Sequence, residues 1–304
     1  MAVTAAMVKE LREMTGAGMM DCKKALVETD GDMEKAVDVL REKGLSKAAK
    51  KAGRIAAMGL VGLAFNDDAS SASIIEVNSE TDFVAKNDEF IGFVQNLANL
   101  ALTGGAADMD AFMALSYADE GTVKDALTNK ISKIGENMNI RRFQTLGGAG
   151  TRNVGYVHGG GTIGVIVTLK TDASAQDVAV VGKDVAMQVA SMNPKYVSEA
   201  DVDPDFIESE KQILIQQALN EGKPADIVEK MVVGRLKKEL KEVCLLDQKF
   251  VKDNEVTVAQ YVKNVAKELG KDIEVVGMVR YEVGEGIEKR EENFAEEVAK
   301  QMGK

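Results

Sequence analysis

The chain has 304 residues, 45% hydrophobic and 29% charged, enough to bury a core and to divide into two or more domains, and too apolar for a disordered tail. A formal charge of −11 argues against broad nucleic-acid binding, which draws most of its affinity from Lys and Arg neutralising phosphates, and points instead to protein partners. No stretch approaches the run of about 20 apolar residues that a membrane helix needs, residues 1–5 carry no targeting pattern, and Cys22 and Cys244 lie far apart without metal-ligand spacing, so the expectation is a cytoplasmic chain without membrane attachment, disulfide framework or zinc site.

Thr4 is placed to N-cap a first helix, with Val3 and Val8 closing a hydrophobic staple and Leu11 continuing the apolar stripe. Gly16-Ala17-Gly18 breaks that helix. Asp21 is placed to cap a second helix through Leu26. Asp30-Gly31-Asp32 closes it and opens a third, whose apolar face carries Val37 and Leu40 and which is expected to stop near Gly44. So small a three-helix bundle has little to bury and suits an accessory module. Residues 45–54, with Lys47, Lys50, Lys51 and Arg54 among small residues, read as a partly helical linker. With no aromatics interleaved for base stacking, a solvated connection fits it better than a nucleic-acid patch, and its charge can assist docking on an acidic surface.

From Gly59 the texture becomes β. Residues 60–65 and 74–78 read as strands joined by the turn-forming stretch 66–70, followed by an amphipathic helix with Phe90, Phe93, Val94 and Leu97. A similar order recurs: strands at 154–158 and 163–169 across a glycine turn, then a helix over 176–192 carrying Val178, Val181, Val185 and Val189, which reads as an internal duplication. Part of the pattern returns as a strand over 275–283 and a helix over 293–302. Between them, residues 205–240 place Ile207, Ile213, Leu214, Ala218, Ile227, Met231, Val232 and Leu236 at helical spacings interrupted at 220–224, which predicts a helical hairpin. Packing of its two arms on each other accounts for most of these residues, and a second copy covering one face, as in a homodimer, is compatible with the rest.

The expected fold class is α+β. It comprises a three-helix bundle with basic linker (1–54), a core of small antiparallel sheets with helices (55–150 and 151–204), a helical-hairpin arm (205–245), a return to the core (246–284) and a C-terminal helical module (285–304).

A catalytic reading finds little support. His158 is the only histidine, tryptophan is absent, and no Ser/His/Asp or Cys/His constellation can be assembled, leaving only a carboxylate-based site compatible with the sequence. Gly159-x-Gly161-x-x-Gly164 matches the dinucleotide fingerprint formally, but that motif must open a helix, and here residues 165–167 continue as a strand. A phosphate loop of the form GxxxxGK[ST] is also lacking, so neither direct nucleotide binding nor any cofactor is expected.

Two long stretches carry most of the identity: residues 11–26, from Leu11-Arg12-Glu13-Met14 through Met19-Met20-Asp21-Cys22-Lys23, and residues 76–87, centred on Thr81-Asp82-Phe83-Val84. Together with Lys133-Ile134-Gly135-Glu136-Asn137, Tyr156-Val157-His158-Gly159 and Gly284-Glu285-Gly286-Ile287-Glu288-Lys289, they resemble the elongation factor Ts family over nearly the whole chain. Some members have Cys-Gln at the Ser79-Glu80 position, and an Arg at that of Thr162, differences that touch contact details.

The resemblance implies a bundle similar to ubiquitin-associated domains, a two-part core, a coiled-coil dimerisation arm and a C-terminal module, together embracing the GTPase elongation factor Tu and promoting GDP release. It places Phe83, with Asp82, between helices of the GTPase domain near the magnesium site, as a wedge flanked by Thr81 and Val84. Arg12, Met19, Met20 and Lys23 would contact the GTPase domain, His158 another domain, and Ile134, Gly135 and Met302 would add further contacts. Read by themselves, Phe83 can instead pack under its own loop, Met19 and Met20 can be core, and His158 can be a turn residue. An adaptor that bridges partners without altering a nucleotide state is the competing reading.

Overall fold

The computed structural model describes residues 3–15 and 17–288. Three helices open the chain: α1 (Ala5–Thr15), α2 (Met19–Glu28) and α3 (Met33–Ala49). Thr4 Oγ1 accepts the Met7 N–H at 3.3 Å, the expected N-cap, and Leu11, Cys22, Ala25, Leu26 and Ala36 form the fully buried centre of the bundle. Asp32 caps α3 by accepting the Lys35 N–H at 3.1 Å. Asp21 is not the cap of α2. That position belongs to Gly18, and Asp21 sits inside the first turn, where its carboxylate meets Lys47 at 2.8 Å. Nor does α3 stop near Gly44. It continues to Ala49, because Gly44 is buried where α3 runs beside a later helix, and a helix interior tolerates glycine when packing supports it.

The β-rich part begins with β1 (Met58–Phe65) and β2 (Ser71–Ser79), joined by a turn in which Asn66 accepts the Ser71 N–H and Asp68 the Ser70 N–H. The one-turn helix α4 (Asp82–Ala85) leads to α5 (Asp88–Thr103), whose Phe90, Phe93, Val94 and Leu97 are all buried, as its periodicity requires.

Residues 104–150, in which no element is expected from the sequence, hold α6 (Met109–Met113), α7 (Val123–Ile134) and β3 (Met138–Gly147). The signals for α7 are local: a Thr122/Asp125 capping box and left-handed Gly135 as its C-cap. β1, β2 and β3 form one sheet with β2 in the middle, and β2 is accordingly buried almost throughout.

The second half repeats that plan. β4 (Thr151–His158) pairs antiparallel with β5 (Ile163–Lys170), α8 (Ala175–Met192) packs across them, and β8 (Glu274–Glu282) completes the order β4-β5-β8. A Ser174/Asp177 capping box starts α8 and left-handed Asn193 ends it. The hairpin α9 (Pro204–Asn220) and α10 (Ala225–Val243) interrupts the plan, closing on Leu214, Ala218, Val228 and Val232, with Ile215 and Leu236 beside them. Ile213, Ile227 and Val233 remain exposed. The short ribbon β6 (Lys249–Phe250) and β7 (Asp253–Thr257) then precedes α11 (Val258–Leu269), with Phe250 stacked on Tyr261 at 4.2 Å.

The fold is therefore α+β with small antiparallel sheets. Among the described residues the chain falls into two compact units, one drawn from residues 3–62, 75–143 and 282–288, the other from 63–74 and 144–281. Among the described residues no helix is long and apolar enough to cross a membrane. The helix expected over 293–302 lies outside the described residues.

Candidate functional site

β2 ends at Ser79, and the chain turns sharply through Glu80 and Thr81 into α4. Asp82 and Phe83 stand on the outer side of this turn, while Val84 points inward and is buried. Phe83 is 80% exposed, so it does not pack beneath its own loop. A large aromatic left in water costs about 1.5–3 kcal/mol of foregone burial, which makes this position one to explain rather than a routine surface residue. Lys86 lies 2.6 Å from the Asp82 carboxylate and, through that hydrogen bond, holds it below the usual carboxylate range.

The turn is held from the loop between α7 and β3. Gly135, in the left-handed conformation, reverses the chain after Ile134, and the next two residues reach the turn between β2 and α4. Glu136 accepts the Thr81 N–H at 3.0 Å and the Thr81 hydroxyl at 2.6 Å. Glu80 accepts the Asn137 N–H and lies 3.5 Å from Arg54 Nη1, while Asn137 Nδ2 donates to the Arg54 carbonyl at 2.7 Å. Ile134 is half-buried and Gly135 exposed, so of the two the glycine alone offers an open surface. Glu80, Glu136 and Asn137 carry no functional role in the sequence reading. The signal available there was their place inside the stretches 76–87 and 133–137, with nothing to indicate which loop they would meet.

Arg12 on α1 and Met19, Met20 and Lys23 on α2 are all exposed. Met19 and Met20, at 57% and 62%, are therefore not core, and Met14 and Val27 add to the apolar surface of the bundle. Arg12, Met14 and Met19 line a groove closed on its far side by Lys130 and Lys133 of α7. Of the cations around it, Lys47 is paired with Asp21 at 2.8 Å and Lys130 with Glu89 at 3.1 Å.

His158 is the last residue of β4, exposed, with Nδ1 3.0 Å from the Tyr156 hydroxyl. The following turn, Gly159–Gly161, leads straight into β5, with His158 opposite Ile163, so the glycine motif joins two antiparallel strands. Met302 lies outside the described residues. Phe83, Met19 and Met20 belong to one compact unit and His158 to the other. Among the described residues no cluster of three His, Cys, Asp or Glu has the arrangement of a metal site.

A family model described as Elongation factor TS matches residues 80–285. The chain is 61% identical over 300 residues to the elongation factor Ts of Clostridioides difficile (strain 630), covering 99% of each chain. It is 55% identical over 302 residues to the elongation factor Ts of Clostridium perfringens (strain 13 / Type A), covering 99% of this chain and 100% of the relative, and 55% identical over 302 residues to that of Clostridium tetani (strain Massachusetts / E88), covering 99% of both.

Proposed function

The chain belongs to the elongation factor Ts family, and we propose that it binds elongation factor Tu carrying GDP and promotes release of the nucleotide, so that GTP can rebind. The observation that carries this reading is Phe83, exposed at the tip of a short turn whose backbone is anchored on both sides. Inserted between helices of the GTPase near its magnesium site, the ring displaces the elements that hold metal and phosphates.

Magnitudes decide how much else is required. A nucleotide held at nanomolar affinity is bound by about 12 kcal/mol. Burying one Phe returns about 1.5–3 kcal/mol, enough to drive a local distortion and too little for the exchange. Coupling is reciprocal: weakening GDP binding about 10⁴-fold takes roughly 5.5 kcal/mol of differential affinity between the two states of the partner. The other contacts must supply it. Arg12, Met19, Met20 and Lys23 on the bundle, Thr81 and Asp82 beside the wedge, Gly135, His158 on the second unit, and Met302 are assigned to this anchoring; Val84, which the resemblance also implied, is buried within its own turn, and half-buried Ile134 presents no open surface, so neither is counted among these contacts.

On this reading the bundle is a domain of the ubiquitin-associated type, and the α9–α10 hairpin is a coiled-coil arm whose exposed Ile213, Ile227 and Val233 fit a second copy of the chain. The protein performs no covalent chemistry, binds no nucleotide or cofactor of its own, and works in the cytoplasm.

The test is release of fluorescent GDP from purified elongation factor Tu with the parent protein and with Phe83→Ala at equal concentration. Acceleration by the parent, largely lost in a variant whose melting temperature is unchanged, is the expected result. A parent that leaves the release rate unaltered refutes the exchange function. An adaptor that only bridges partners would bind through the exposed methionines and be indifferent to Phe83→Ala.

A further inference from the structure

We propose that Glu136 is a positioning residue for nucleotide exchange: its carboxylate grips Thr81 at two points and thereby aims Phe83. The inference rests on the exchange reading above and adds to it a residue that contacts neither nucleotide nor, in this role, the partner.

Thr81 is the N-cap of α4, and a threonine there ordinarily turns its hydroxyl to accept from an N–H of its own helix's first turn. It makes no such bond. Its hydroxyl donates instead to Glu136 Oε1 at 2.6 Å, and its N–H donates to Glu136 Oε2 at 3.0 Å. A local cap has been exchanged for a tether to a residue 55 positions away. Both bonds end on the two oxygens of one carboxyl group, and together they fix orientation as well as distance. The Ser79 hydroxyl donates to the Thr81 carbonyl at 3.0 Å, so N–H, hydroxyl and carbonyl of Thr81 are all engaged.

Phe83 follows two residues later and, at 80% exposure, has little around it to set its direction. Its aim is therefore inherited from the backbone of a single helical turn, which is held at Thr81 by Glu136 and at Val84 by burial. A wedge that must enter a defined gap loses rate when its approach is imprecise, even if the complex still forms. Glu136 should thus act on the rate at saturation and leave binding of the partner nearly untouched.

The experiment is GDP release from elongation factor Tu across a concentration series of parent, Glu136→Ala, Glu136→Gln, Phe83→Ala and the Phe83→Ala/Glu136→Ala double variant, with melting temperatures measured alongside. Glu136→Ala is expected to lower the maximal rate about tenfold, equivalent to about 1.4 kcal/mol of barrier, with the half-saturating concentration changed by less than about twofold. Glu136→Gln should recover most of the rate, since its amide oxygen can accept the Thr81 N–H while its NH₂ donates to the hydroxyl. In the Phe83→Ala background, Glu136→Ala should cost almost nothing more, because a residue that works by aiming a ring has no effect once the ring is gone. An undiminished rate for Glu136→Ala, a loss of equal size in both backgrounds, or an effect confined to the half-saturating concentration would each overturn the inference while leaving the exchange reading standing. A parent that fails to accelerate release would overturn both.

Discussion

The carboxylate of Glu76, fully buried in β2, accepts the backbone N–H of Gly284 at 2.8 Å, joining positions 208 residues apart. It also meets Arg142 Nε at 2.6 Å, Arg141 Nη1 at 3.1 Å and the Asn78 amide at 3.1 Å. Removing one partner of a buried charged network leaves the others uncompensated, so Glu76→Ala is expected to destabilise the protein by about 3–5 kcal/mol in urea unfolding. Burial opposes ionisation of Glu76, but the Gly284 N–H, the Asn78 amide and the two guanidinium groups outweigh it and hold the carboxyl below its ordinary 4.5. A depressed carboxylate contributes stability that is present above the unfolded-state value and lost as pH falls through the folded-state value. Unfolding of the parent should therefore ease below about pH 4.5 more steeply than unfolding of Glu76→Gln, which has no proton to take up there.

Two glycines inside helices should respond to alanine with opposite signs. At Gly44 of α3 a methyl group would come no nearer than 3.9 Å to Ser132, an ordinary contact. Gly44→Ala should gain about 0.5–1 kcal/mol from reduced chain entropy. At Gly182 of α8 the same methyl would lie 2.4 Å from Val154 in β4, so Gly182→Ala should cost about 1–3 kcal/mol as the helix is pushed off the sheet. Paired denaturation midpoints decide both, and loss of stability in Gly44→Ala would refute the packing described for α3.

Burial, with Asp247, Glu199 and Asp201 nearby, pushes the Cys244 thiol up to about 11. Thiolate is the reactive form, so native protein at pH 8 should label at Cys244 only as fast as the region opens. Labelling by a disulfide reagent, followed across urea concentration, should rise with unfolding. Prompt reaction without urea would contradict the burial.

On the hairpin, Glu239 has its carboxyl raised by burial and by Glu210 and Glu242, with Arg235 opposing. A raised folded-state value means that the folded arm holds its proton more tightly than the unfolded chain, so ionisation at neutral pH works against the arm and acidification through that value relieves it. Glu239→Gln should increase hydrogen-exchange protection of α9 and α10 at pH 7, with the advantage shrinking as pH falls towards 4. An equal gain at both pH values would show that charge is not the cause.

How much was legible beforehand varied with how local each signal was. The strands at 60–65, 74–78, 154–158 and 163–169, the helix with Phe90 and Phe93, and the hairpin around Leu214 and Val232 were all readable, because side-chain periodicity reports which face of an element is covered wherever the covering comes from. The third helix was cut short at Gly44 because glycine usually ends helices, and only the neighbouring α7 makes that position a packed interior. α7 itself carried its capping box and C-cap glycine in plain view, whereas β3, whose burial alternates poorly, had no strong local pattern to reveal it.

At the candidate site the division is the same. The sequence by itself determined the family, the turn after β2 that carries Asp82 and Phe83, and the paired methionines between the first two helices' apolar stripes, since these depend on order along the chain. Only the tertiary structure decided that Phe83, Met19 and Met20 face water, and that Glu136 reaches across 55 positions to hold Thr81. Exposure and tethering are properties of which surfaces meet in space, and spacing along a chain constrains such meetings within one helix or hairpin but not between loops brought together by the packing of several elements.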